Sequence, residues 1–182
     1  MSPKQKSPEL KIDSPKEYLA VAVSTCGVGF IPFAPGTFGS LVGVGIFYLL
    51  FSSFHSLPQY FQLALIVTCL VVTLGGIWAG NVAEAVFGEK DAQRIVVDEV
   101  AGQLISYVLI APMMTAELSR PFPVMLVGFI LFRLFDIFKP YPINKLQDLP
   151  AGLGVMFDDV LAGIYAAILL SLLPLIAPQW LY

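Results

Sequence analysis

Five carboxylates stand at the edges of long apolar segments in this sequence: the adjacent pairs Asp98-Glu99 and Asp158-Asp159, and the single Asp136. A lone charged group at such a depth costs about 2.5–3.5 kcal/mol or more, so acids are kept there where they pair, bind metal or handle a charged substrate. Crowded together, they repel one another unless cations accompany them. Hard oxygen ligands of this kind suit Mg2+, which keeps several waters and takes a few carboxylates with a phosphate oxygen. The plain alternative is helix capping, in which each pair satisfies free N–H groups and the positive end of a helix dipole. Either pair alone fits that alternative equally well. Two pairs and Asp136 at one membrane face favour Mg2+ held by Asp98, Glu99, Asp136, Asp158 and Asp159, the same acids being the catalytic candidates.

The run Arg133-Leu134-Phe135-Asp136-Ile137-Phe138-Lys139-Pro140-Tyr141-Pro142 is the most specific string in the chain. Arg133 and Asp136, three apart, share a helix face, and Pro140 disfavours helix at Lys139. Two cations flanking one acid can hold a phosphate beside its metal. The competing reading pairs Arg133 with Asp136 and lets Lys139 snorkel to the lipid headgroups. Pro35-Gly36-Thr37-Phe38-Gly39-Ser40 opens an apolar segment with small residues and two hydroxyls, where backbone N–H groups can cradle an anion. Alone this is a weak signal, because Gly and Ser also cap and pack helices. It is not a Walker loop, whose G-K-[ST] ending is missing. Thr37 and Ser40 join Arg133 and Lys139 as candidates for binding phosphate. Asp91, in the mixed-charge stretch Glu89 to Arg94, is a further candidate, although such a loop is more often a solvated connector.

What must position these groups is a bundle of membrane helices. Of 182 residues, 57% are hydrophobic and 13% charged, against roughly 25% charged in soluble domains; the mean hydropathy is +0.81. The pattern predicts an all-α polytopic integral membrane bundle of about five spans, over Thr37–Phe54, Phe61–Gly80, Val100–Met114, Phe122–Phe138 and Val160–Ala177. A short helix over Tyr18–Phe33, broken by Gly27, Gly29 and Pro32, precedes them. Residues 1–17 are expected to be a polar cytoplasmic tail with no signal-peptide core, and residues 18–182 one transmembrane catalytic domain. With the tail inside, nine of the ten Lys and Arg fall on the cytoplasmic side and Arg120 alone outside. That threading makes the Tyr18–Phe33 helix re-entrant or interfacial rather than spanning, and gathers every candidate residue at the cytoplasmic mouth.

Other chemistries find little support. No basic run with interleaved aromatics suggests nucleic acid, and the net charge of −3 decides nothing. Cys26 and Cys69 lie apart in apolar sequence and read as buried small hydrophobes. The single His55 lies in a short loop, which makes a histidine relay improbable. The sequence gives no indication of oligomeric state.

Together, Gly36-Thr37-x-Gly39-Ser40, Ile95-Val96-Val97-Asp98-Glu99, Phe132-Arg133-x-x-Asp136-x-x-Lys139-Pro140-x-Pro142 and Gly152-x-Gly154-Val155-Met156-x-Asp158-Asp159-x-x-Ala162-Gly163 resemble the phosphatidylglycerophosphatase A family of bacterial membrane enzymes. Order and spacing agree over about residues 20 to 170. The resemblance implies Mg2+-dependent hydrolysis of the terminal phosphate of phosphatidylglycerophosphate, a membrane phospholipid, to give phosphatidylglycerol at the cytoplasmic face of the bacterial inner membrane. Val97 stands where many relatives have an aromatic residue, and Pro150-Ala151-Gly152 where many have a His-Gly-Gly run.

On this reading Mg2+ held by a subset of the five acids neutralises the phosphate and acidifies water, with Arg133, Lys139, Thr37 and Ser40 around the phosphate oxygens. The D-x-D string of one aspartyl-phosphate class is absent, so direct attack by water is preferred. A transferase acting on CDP-activated lipid would carry a D-G-x-x-A-R run, which is missing. A small transporter or channel with a divalent-cation site is the alternative from another class, and it predicts acids near mid-span together with internal repeats.

Overall fold

The computed structural model describes residues 12–54, 56–90, 92–114, 121–147, 149 and 152–176, and every regular element among them is helical. Four helices are long and apolar enough to cross a membrane: α2 (Pro35–Phe54), α3 (Pro58–Phe87), α5 (Pro121–Phe138) and α7 (Gly152–Leu170). Prolines open α2, α3 and α5 where an unpaired N–H would otherwise stand. Hydroxyls inside the apolar helices bond back to their own backbone, as Thr68 Oγ1 does to the Ala64 carbonyl at 2.7 Å. Leu63, Leu70, Val71, Leu74 and Leu126 face outward, a surface that suits hydrocarbon and would be a liability in water.

The remaining helices are shorter. α1 (Pro15–Thr25) begins three residues before the expected boundary, because Ser14 caps it by accepting from the Glu17 N–H at 3.3 Å. It packs on α3, and its Ser24 carbonyl accepts from the Val96 N–H at 2.8 Å. α4 (Val97–Ile105) leads through turns to a single 3-10 turn at Ala111–Met113. α6 (Ile143–Leu146) precedes α7, and α8 (Leu173–Ile176) follows it.

α2, α3, α7 and α5 pack in sequence around α4. The expected span Val100–Met114 is therefore present as a nine-residue helix and an irregular continuation, not as a fifth membrane-length helix. Gln103, Leu104, Ser106, Tyr107, Ile110, Ala111 and Met114 are wholly buried in protein, the condition under which non-helical backbone persists at membrane depth. Tyr107 stabilises the break: its ring stacks on Phe47 at 4.1 Å and its hydroxyl donates to the Met125 carbonyl at 2.8 Å. Met114 shares one apolar cluster with the end of α2, the start of α3 and the start of α5. Residues 97–114 thus run the length of the bundle, which carries α5 back to the end where α4 begins.

Among the glycines of the apolar helices, Gly43 abuts Gln103, Gly76 abuts Met156 and Gly163 abuts Gly102, whereas Gly45 and Gly75 face open space.

Candidate active site

Four elements converge at one end of the bundle around a cavity of about 450 Å3. The start of α2 contributes Gly36, the first turn of α4 Asp98 and Glu99, the end of α5 Arg133, Asp136 and Lys139, and α7 Asp158 and Asp159. All five predicted carboxylates and both predicted cations are brought together. The acids sit at an end of the bundle rather than halfway along it.

Their surroundings divide them. Arg133 Nη1 lies 2.5 Å from Asp136 Oδ2, and Lys139 Nζ 2.6 Å from Asp158 Oδ2. Asp98 Oδ1, Glu99 Oε2 and Asp159 Oδ2 are buried without a hydrogen-bond partner. Each of these three acids offers an oxygen within 4.8 Å of those of the other two. Orphaned, buried, mutually facing carboxylate oxygens are what a hard divalent cation requires, and without a cation they would repel in a low-dielectric setting. The residues present therefore fit a Mg2+ ion at Asp98, Glu99 and Asp159.

Capping does not account for Asp158 and Asp159, and for Asp98 and Glu99 it leaves a buried oxygen on each without a partner. α4 is preceded by Val96, with no side-chain cap, and Asp98 and Glu99 lie within its first turn. Asp158 and Asp159 lie nearly two turns inside α7, which begins at Gly152 and not beside Val160. The early start is fixed from another helix: Asn81 Oδ1 on α3 accepts the Gly152 N–H at 2.8 Å.

Ser40 does not line the cavity, but its hydroxyl accepts from Arg133 Nη1 at 3.4 Å and donates to the Gly36 carbonyl at 3.0 Å, so it acts through Arg133. Thr37 is half-buried beside them and is not part of the lining. Asp91 and His55 lie outside the described residues. Gln93, Ile95, Pro32, Ala34 and Ile137 complete the wall; apolar and loop residues of this sort carry no chemical signal that could have marked them in advance.

Gly36 leaves room for two site residues: a Cβ there would run into Glu99 Oε1 and stand 3.3 Å from Arg133 Nη1, so an alanine would displace those side-chain ends. Backbone strain also gathers here. Ala34 and Lys139 both line the cavity with φ of 47° and 42°, and each precedes a proline. A left-handed conformation at a non-glycine residue is held only where its surroundings impose it; Lys139 takes it as the chain leaves α5, its N–H still bonded to the Phe135 carbonyl at 2.9 Å and Pro140 following. Burial would lower the Lys139 pKa, but the hydrogen bond and charge of Asp158, with Asp159 and Asp136, more than offset this and raise it above its ordinary value. The Cys26 thiol, beyond α1, is pushed up to about 11 by burial and then by the charge of Glu99. It is a thiol at neutral pH and no nucleophile.

The chain has relatives among known proteins. The sequence pattern of the family described as phosphatidylglycerophosphatase A matches residues 21–174. A Bacteroides thetaiotaomicron protein, provisionally named a phosphatidylinositol-3-phosphatase, is 38% identical over 157 residues, 85% of this chain and 92% of that one. Phosphatidylglycerophosphatase A of Escherichia coli K12 is 32% identical over 159 residues, covering 87% and 83%. That of Haemophilus influenzae is 37% identical over 161 residues, covering 88% and 89%. No solved structure matches the chain.

Proposed function

The chain belongs to the phosphatidylglycerophosphatase A family and is a phosphatase, and we propose that it hydrolyses the terminal phosphomonoester of phosphatidylglycerophosphate to phosphatidylglycerol and phosphate, with Mg2+, at the cytoplasmic face of a bacterial inner membrane. The observation that carries the reading is the division within one cavity between three acids that each keep a buried, unpartnered oxygen and two ion-paired cations. Five carboxylates against two cations leave the cavity strongly negative, so a phosphate dianion enters only with divalent charge beside it.

Asp98, Glu99 and Asp159 would hold the ion, and Asp136 and Asp158 would hold Arg133 and Lys139. When bound, Mg2+ supplies positive charge to the phosphoryl group and acidity to nearby water. The chain's own part is positioning and charge neutralisation, which phosphoryl transfer chiefly asks for. Arg133, braced by Asp136 and Ser40, directs its remaining N–H groups at the phosphate oxygens. Lys139 supplies a second cation on Asp158, and the Glu99 and Arg133 side chains occupy the space that Gly36 leaves open. The acyl chains remain in the bilayer. Lys90, Arg94, Lys139 and Lys145 lie in the connections at the site's end of the bundle, which is the end the positive-inside bias assigns to the cytoplasm.

The test is phosphate release from phosphatidylglycerophosphate in detergent, with Mg2+ or with a chelator, for the wild type, Asp98→Asn and Asp159→Asn. The reading expects release that needs Mg2+ and falls at least about 100-fold in either variant. Undiminished release in both variants would sink the site. The Bacteroides relative motivates a second reading, the same chemistry on a 3-phosphorylated inositol lipid. Both lipids offered in competition decide between them, the faster-hydrolysed headgroup being the substrate. The transporter alternative, which places acids near mid-span, is not favoured by acids at one end of the bundle.

A further inference from the structure

The three acids proposed to hold the ion come from two helices. Asp98 and Glu99 belong to α4, and Asp159 belongs to α7. The separation of those helices therefore bears on the separation of the ligands, and two glycines stand where they meet. Gly102 lies one turn beyond Asp98 and Glu99, and Gly163 one turn beyond Asp159. Here the two backbones touch. A Cβ on Gly102 would stand 2.5 Å from the Asp159 carbonyl oxygen, on the very residue that supplies the α7 ligand, and 2.5 Å from Phe132 Cε2. A Cβ on Gly163 would strike the Gly102 carbonyl oxygen and lie 3.1 Å from the Gly102 Cα.

Ordinary C–H to carbonyl contacts are about 3.3–3.6 Å, so an alanine at either position opens the crossing by about 1 Å. Apart from the Phe132 ring, the obstructing atoms are backbone and cannot swing aside. Side-chain-free contact is the closest approach two helices can make. It brings the carboxylates of Asp98 and Glu99 from one side and of Asp159 from the other to within 4.8 Å, each with one unpartnered oxygen.

We propose that the Gly102–Gly163 crossing fixes the aperture of the carboxylate triad and so determines its preference for a small divalent cation over a large one. The proposal rests on the metal reading above. Mg2+ demands oxygens at about 2.0–2.1 Å in a near-ideal octahedron, whereas Ca2+ accepts about 2.3–2.6 Å in flexible geometry. An opening of about 1 Å, shared among ligands on both sides, is of the size that separates the two ions. Gly102 and Gly163 are then positioning residues: they touch neither ion nor lipid.

The experiment is thermal unfolding of the full-length protein in detergent across concentrations of Mg2+ and of Ca2+, without substrate. It compares the wild type, Gly163→Ala, Gly102→Ala and the control Gly75→Ala, whose Cβ would meet nothing within 4 Å. Expected are wild-type protection by Mg2+ at lower concentration than by Ca2+, and an unchanged control. Either crossing variant should need roughly tenfold more Mg2+ or beyond, the scale on which groups supporting a metal's ligands act. Its Ca2+ requirement should rise less or fall. An equal rise for both ions, or none, overturns the proposal. If neither alanine variant folds, the wild type decides: Mg2+ ahead of Ca2+ supports it, and Ca2+ protecting as well as Mg2+ overturns it. A wild type that no ion protects would strike the metal reading itself instead.

Discussion

Lys139 and Asp158 form a pair whose two halves are unequally sheltered, and that inequality predicts an asymmetric response to mutation. The Asp158 side chain is 4% exposed and that of Lys139 is 23% exposed. Removing one partner of a fully buried pair costs about 3–5 kcal/mol. Because water reaches the lysine end, about 2–3 kcal/mol is the better figure for Lys139→Ala, which takes the cation from a buried carboxylate that keeps the Asp159 N–H at 3.0 Å but faces Asp136 and Asp159. Asp158→Asn strands only the ammonium, which keeps Asp136, Asp159 and solvent as neighbours, so about 1 kcal/mol is expected. The double variant should return to within about 1 kcal/mol of the wild type, since its partners couple directly. Thermal unfolding in detergent without Mg2+ measures all three. At roughly 2–4 °C per kcal/mol, Lys139→Ala should melt roughly 5–10 °C lower and the double variant should recover most of the loss, while phosphate release stays low in both. If Asp158→Asn proves the more damaging single change, or the double variant is no better than Lys139→Ala, the pairing argument is wrong.

Other consequences follow from single contacts. Because the Lys139 pKa lies above its ordinary value of 10.5, the stability it lends is complete at lower pH and is lost only as pH rises through that raised value. Melting temperature should therefore be flat with respect to this group up to about pH 10, and a wild-type decline near pH 8 that Lys139→Ala abolishes would contradict this. Asn81→Leu removes the acceptor for the Gly152 N–H; it should cost about 1–2 kcal/mol and reduce phosphate release, with Asn81→Asp retaining most of both. Cys26→Ala should leave phosphate release near wild type, and thiol reagents should not inactivate the enzyme at pH 7, since burial keeps that sulfur protonated.

Much of this site was legible because charge in an apolar sequence is expensive and therefore informative. Asp98, Glu99, Arg133, Asp136, Lys139, Asp158 and Asp159 all reach the same cavity, as their placement at segment ends implied. The spans over α2, α3, α5 and α7 were legible for the same reason, by length and apolarity. What escaped detection depends on contacts between segments far apart in the chain. An apolar stretch reads alike whether lipid or protein covers it, so the break after Ile105 inside the ring of helices left no mark on the sequence. The start of α7 was hidden because its capping group, Asn81, lies 71 residues away. Five adjacent-looking acids likewise do not announce which are paired; that division depends on where Arg133 and Lys139 point. Gly102, with no side chain, gave no chemical cue at all.

The central claim is that Asp98, Glu99 and Asp159 grip one divalent cation. Its most direct test is a crystal structure of the full-length protein soaked with Mn2+ in place of Mg2+, read by anomalous scattering. A peak is expected within bonding distance of oxygens from all three residues, with Arg133 and Lys139 still on Asp136 and Asp158. A peak held by Asp136 and Asp158 instead, or none between α4 and α7, would contradict it.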